Sequence, residues 1–240
     1  MDAYEQKAFD ELKRWQRRLE KRPSMLGRMS KQVQNTVNDN IPERVHEAVT
    51  RAVKSMVEAV LAGSDIIGRP SSSIPGSLEG KEELIRSRLA FYRKTAAAEG
   101  AGTGFGGIVL GVADFPLLLM LKMKFLFETA EIHGYDTKRY EERIYLLYLF
   151  QLTFSGSSHQ RETFKRIVNW EKEKRGLLSI DWKAFQQEYR DYIDVAKMLQ
   201  LLPVVGAAAG AAANYRLLGQ LGETALNGYR MRYFTGKAGE

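Results

Sequence analysis

The sequence predicts an all-α multi-helix bundle, and three observations carry that expectation. Apolar residues recur at helical spacing along most of the chain. No stretch sustains the alternation of a strand between turn residues. Two charge-poor stretches are rich in Gly and Ala, which suits helices whose backbones approach closely.

The elements follow in order. Residues 2–22 place Ala8, Leu12, Trp15 and Leu19 on one stripe, with Asp2 and Glu5 early and Lys21 and Arg22 late, as the helix dipole prefers. Pro23 ends that run, and a second helix is expected over 24–39. Pro42 suits the first turn of a third, whose apolar stripe is Val45, Val49, Ala52, Met56 and Val60. Residues 63–80 hold eleven Gly, Pro or Ser in eighteen positions and read as a long flexible loop. That loop divides the chain into N-terminal helices (1–62) packed on a helical core (81–240). Helical spacing resumes at Lys81 and runs to about Glu99. Another helix is expected from Asp136 or Thr137 as N-cap, and its interior, 144–154, is apolar on every face and so central. SGSS at 155–158 is a turn, a charged helix follows to Arg175 with Gly176 as its cap, and Asp181 caps a helix running to Leu202.

Composition bounds the chemistry. The 240 residues suffice for one large domain or two small ones. Cys is absent, which excludes disulfides, thiol nucleophiles and thiolate metal sites. His46, His133 and His159 lie far apart, show no ligand spacing and read as surface or cap residues, so no metal site is expected. The N-terminus has no apolar targeting run and carries several acids, so a cytoplasmic protein is expected. The net charge of +7 suits an acidic partner or the anionic inner leaflet, and equally an ordinary basic surface.

The two unusual stretches are 100–121, GAGTGFGGIVLGVADFPLLLML, and 198–215, MLQLLPVVGAAAGAAANY. Their length approaches a membrane span, but Gly and Ala add little transfer energy and a mid-span Asp114 is costly. They read instead as two Gly/Ala-rich helical hairpins. At an offset of 95, Val109, Gly111 and Ala113 match Val204, Gly206 and Ala208, and Glu128-Thr129-Ala130 matches Glu223-Thr224-Ala225. This is a weak internal repeat, or chance likeness between Gly/Ala-rich stretches. Asp114 is expected to cap a new helix with Pro116 in its first turn.

Catalytic signatures are absent. Gly102, Gly104 and Gly107 satisfy GxGxxG, but a helix pattern precedes them where a nucleotide fold needs a strand. No Walker loop, GxSxG or HExxH occurs. No helix face interleaves basic and aromatic residues as nucleic-acid binding requires, and no cofactor is implied.

Several motifs occur together and in order: GVADFP (111–116), IHGYD (132–136), Glu142-Arg143, LLPVVGAAAGAAANY (201–215), and a final Ala225, Tyr229 and Arg232. On these the chain resembles the EcsC family over about 81–234. The resemblance implies an all-helical bacterial protein associated with an EcsAB-type ABC transporter system. It implies no reaction, because the family has no established one.

Three functions remain open. The first is a non-enzymatic accessory protein, peripheral at the inner face of the cell membrane, which binds lipid or transporter components reversibly. Its contacts would be Phe105, Ile108, Val109 and Leu110, with Arg93, Lys94, Lys122 and Lys124 reaching headgroups. The second is an enzyme with a buried polar pocket between the hairpins, built from Asp114, Glu128, Asn214 and Arg216. The third is a homo-oligomerisation module that uses the glycine faces.

Overall fold

The computed structural model describes residues 1–20, 43–63, 73–103, 107–176 and 207–237. All the regular elements there are α-helices, as helical spacing dictates. The expected helices over 24–39 and from Asp181, most of the 63–80 loop, and Phe105 lie outside the described residues.

Helix α1 (Ala3–Glu20) buries Ala8, Leu12 and Trp15. Asp2 and Glu5 exchange caps: the Glu5 N–H donates to the Asp2 carboxylate at 2.8 Å, and the Asp2 N–H to Glu5 at 3.1 Å. Helix α2 (Glu43–Ala62) buries all five residues of its expected stripe, with Val53 and Val57 beside them. Helix α3 (Leu78–Thr103) starts three residues before Lys81, because the Ser77 hydroxyl caps it by accepting the Gly80 N–H at 3.1 Å.

Helix α4 (Gly107–His133) corrects the capping expectation. It runs unbroken through Pro116, so Asp114 is helix interior and no helix begins there. Pro116 itself is exposed, while Phe115, Leu118 and Leu119 beside it are buried. Their packing outweighs the hydrogen bond that proline forfeits. Gly134 ends α4 at φ +92°: its N–H reaches Glu131 O, and the Tyr135 N–H reaches Ala130 O. That double bond is the Schellman closure, and its left-handed residue favours glycine.

Helix α5 (Tyr140–Phe154) begins later than expected. Asp136 shapes the preceding turn instead, accepting the Lys138 N–H on its carboxylate at 3.0 Å and the Arg139 N–H on its carbonyl at 3.1 Å. Every residue from Ile144 to Phe154 is buried, as an all-round apolar helix must be. The charged helix expected after SGSS is two helices, α6 (Ser157–Val168) and α7 (Trp170–Gly176). Asn169 breaks it: its carbonyl accepts the Lys172 and Glu173 N–H groups and its side chain donates to Lys165 O. The break lets Trp170 turn into the core at 2% exposure.

Helix α8 (Ala207–Lys237) lies along α3 and also touches α1, α4 and α5. Arg88 meets Glu128 at 3.9 Å and Tyr92 packs edge-on to Phe125 at 5.8 Å, so α3 and α4 run antiparallel. Leu89 faces Gly222 and Arg93 faces Gly219, so α3 and α8 are antiparallel too. A Cβ on Gly222 would stand 2.4 Å from a Leu89 methyl, and this close approach is what the glycine permits. One apolar cluster joins α1 through α8, including Trp15, Val49, Phe115, Tyr145, Trp170 and Leu218. Among the described residues no helix is long and apolar enough to cross a membrane.

Candidate functional site

Helices α3, α4 and α8 share a long axis; α4 alone has 27 residues, about 40 Å by helical rise. The Gly-rich termini of α3, α4 and α8 gather at one end of it. The α4–α5 turn, α7 and the C-terminus of α8 gather at the other. The motif residues divide between these two ends.

At the glycine-rich end the expected residues take distinct places. Asp114 is half-buried, and Arg216 is exposed. Glu128 pairs with Arg88 on α3, and lies fourteen residues along α4 from Asp114, about 21 Å. Asn214 is fully buried and bonds Lys122 at 3.2 Å. The four residues therefore do not form one side-chain cluster. The side chains of Ile108, Val109 and Leu110 lie outside the described residues.

The basic residues also separate. Lys94 and Lys124 are exposed. Arg93 is half-buried: its guanidinium lies 3.7 Å from the Tyr215 ring and its Nε donates to Tyr215 O at 3.1 Å. Lys122 cannot reach headgroups, contrary to expectation, because its side chain is 0% exposed. Its ammonium donates to Leu118 O at 3.3 Å and to Asn214 Oδ1, and burial lowers its pKa to about 7. Spacing hid this, since Lys122 is flanked by residues that read as core on one side and as a basic flank on the other. Three large apolar side chains are exposed along these helices: Phe91 at 58% at the middle of α3, Leu117 at 54% on α4 and Tyr215 at 43% on α8. Lys94 follows Phe91 by three residues and Lys124 follows Leu117 by seven, so each lysine shares a helix face with an exposed apolar group.

The opposite end is built from IHGYD, Glu142, Tyr229 and Arg232. Glu142 and Tyr145 sit three apart on α5, and Tyr229 and Arg232 three apart on α8, so each pair shares a face. Arg232 Nη1 meets both Glu142 oxygens at 2.7 Å, and the Tyr229 hydroxyl donates to Glu142 Oε1 at 2.7 Å. The guanidinium lies 3.6 Å from the Tyr135 ring and 4.7 Å from Tyr145. The left-handed Gly134 turn delivers Tyr135 to that place. Burial opposes the charge on Arg232, but Glu142 and the tyrosines outweigh it and raise its pKa. Burial raises the Tyr145 and Tyr229 hydroxyls, and Glu142 raises Tyr229 further. His133, read as a surface or cap residue, stacks on Tyr229 at 5.0 Å, and its buried Nε2 has no hydrogen-bond partner among the described residues. Burial holds it neutral, with a pKa lowered to about 4.

A cleft of about 660 Å³ opens beside this cluster. Trp170, Ile167 and Met231 line it with Arg232, and Asp136 and Lys174 are among the charges of both signs around it. Arg139 pairs with Glu141 and Lys174 with Glu171. Arg232 is thus committed to Glu142, Arg139 to Glu141 and Lys174 to Glu171, and burial holds Tyr145 and Tyr229 protonated. Sequence reasoning quoted Glu142, Tyr229 and Arg232 without giving them a role. The available signal was their spacing, three apart on helices that must face each other.

The EcsC protein family model matches residues 6–234. The chain is 53% identical over 226 residues to Protein EcsC of Bacillus subtilis (strain 168), covering 94% of each chain. It is 32% identical over 141 residues to the uncharacterized protein YdbA of the same organism, covering 57% of this chain and 52% of that one. No solved structure matches it significantly.

Proposed function

From the premise that the chain belongs to the EcsC family, we propose that it is a non-enzymatic accessory protein that docks reversibly on an anionic membrane through the glycine-rich end and the exposed flanks of α3 and α4 that lead to it. The observation that carries this reading is the exposure of Phe91, Leu117 and Tyr215 along α3, α4 and α8, with Lys94 and Lys124 on the same helix faces as Phe91 and Leu117. Exposed apolar side chains that join into one patch mark a surface that meets something other than water. Each lysine close to an anionic leaflet contributes about 1 kcal/mol. A few apolar side chains add a comparable amount, so the two together hold the protein at the surface without inserting it. The partner expected beside the lipid is an EcsAB-type ABC transporter, which the family resemblance implies.

Co-sedimentation with vesicles tests the reading. The full chain should pellet with phosphatidylglycerol-containing vesicles at low salt and release as salt rises and shortens electrostatic reach. Lys94→Glu/Lys124→Glu should abolish most of that binding while the fold persists, because both side chains are exposed. Arg93 is unsuited to the test, because its contacts with Tyr215 belong to the α3–α8 interface. Failure to pellet at low salt, or binding equal in the variant, would refute the docking surface.

A further inference from the structure

Beyond the membrane reading, a second cleft lies on the side of the molecule where α1 crosses α3 and α8. It measures about 330 Å³, within the range of small-ligand sites. Four arginines line it: Arg14 and Arg18 from α1, Arg86 from α3 and Arg230 from α8. The spacing of Arg14 and Arg18, one helical turn, puts both on the face that looks into the cleft. Arg93 adjoins it through Gly219, where a Cβ would stand 3.2 Å from the guanidinium carbon.

The carboxylates nearby are already committed. Glu82 is fully buried; Arg230 grips both of its oxygens at 2.6 Å, and Arg86 adds a bond at 2.8 Å. Glu11 accepts from Arg230 at 3.0 Å, and Glu223 is taken by Arg18. Arg14 forms no ion pair among the described residues. Four guanidinium groups thus surround one cleft with three carboxylates, and Glu82 serves two of them at once. Like charges held this close repel, and a multiply charged anion between them relieves the repulsion. The planar fork of arginine matches phosphoryl oxygens in pairs, which makes such a cluster selective for that group.

We propose that this cleft binds a phosphoryl group, carried by a free phosphate, a soluble phosphate monoester or a lipid headgroup. Arg14, Arg18 and Arg86 are the ligand-facing residues. Glu82, held by Arg230, is the positioning residue that fixes Arg86.

Titration calorimetry and thermal melting of the full chain test this with inorganic phosphate and glycerol 3-phosphate, against chloride at equal ionic strength. Phosphatidic-acid vesicles supply the lipid arm. Saturable heat and a raised melting temperature with phosphate, but not chloride, are expected. Arg14→Gln/Arg18→Gln should weaken binding at least about tenfold, because each charge-assisted bond is worth roughly that factor. Lys13→Gln/Arg17→Gln removes the same charge from exposed α1 positions outside the cleft and should bind as the parent does. Glycerol 3-phosphate binding with unchanged vesicle binding in the arginine variant assigns a soluble ligand. Vesicle binding that falls with Arg14→Gln/Arg18→Gln assigns a headgroup. Lys94→Glu/Lys124→Glu should leave phosphate binding intact, which separates this site from the membrane surface. No phosphate response beyond chloride, or equal losses in the two double variants, would overturn the proposal.

Discussion

Replacing Lys122 with Met should stabilise the protein at neutral pH and do so less as pH rises. The native amine titrates near 7, against 10.5 for an ordinary lysine. An unfolded chain therefore binds a proton that the folded chain holds weakly, and stability rises with pH across that window. Worked through linkage, the buried amine costs about 4 kcal/mol at pH 7 and about 1 kcal/mol at pH 9.5. Met keeps the apolar stem but leaves Leu118 O and Asn214 Oδ1 without this donor, a loss of about 1–3 kcal/mol. The variant should then be more stable than the parent by about 1–3 kcal/mol at pH 7, and the difference should fall by about 3 kcal/mol at pH 9.5. Urea unfolding of both proteins at the two pH values gives this number directly, because all other titrations cancel in the comparison. A difference that stays constant with pH would refute the reasoning, since it would mean that Lys122 is as easily charged inside the fold as outside it.

Two further outcomes follow from the packing and the ion pairs. Gly228→Ala should destabilise by about 1–3 kcal/mol, measured by urea unfolding, because the new Cβ would stand 2.5 Å from a methyl of the fully buried Leu149 and 3.2 Å from the Tyr145 hydroxyl. Glu5→Gln should lower the urea midpoint at pH 7 and flatten the acid limb. Bonds from Lys237 and Tyr233 hold Glu5 at about 2 against 4.5, so its contribution is full above pH 4.5 and fades as pH falls toward 2, where the two proteins should converge.

The sequence revealed what depends on local pattern. The stripes of α1 and α2 and the all-round burial of 144–154 follow from periodicity alone, and each is found as read. Boundaries set by tertiary contact were less visible. Asp114 before Pro116 looks like a cap in isolation, but flanking Phe115 and Leu118 hold the helix through. Asn169 looks like any polar residue on a charged helix until Trp170 must turn inward. The same limit applies to the sites. Glu142 and Arg232 are 90 residues apart, and Glu82 and Arg230 are 148 apart. No spacing rule joins residues that only the packed bundle brings into contact. Lys122 was misplaced for the same reason: a lone lysine near an apolar run is ordinarily exposed, and only the position of Asn214 makes its burial tolerable.

The buried charges have one more property in common. Lys122, Glu82 and Glu142 stand on three different helices, yet all find partners on α8, at Asn214, Arg230 and Arg232. During synthesis α8 leaves the ribosome after the other described helices. Until it does, a nascent chain that closed its core would strand those ions in an apolar interior, at several kcal/mol each. The earlier helices must therefore wait, partly open and hydrated, until the 31 residues of α8 have been translated. A message truncated just before α8 would leave a product that cannot bury itself, which quality-control proteases recognise by its exposed core.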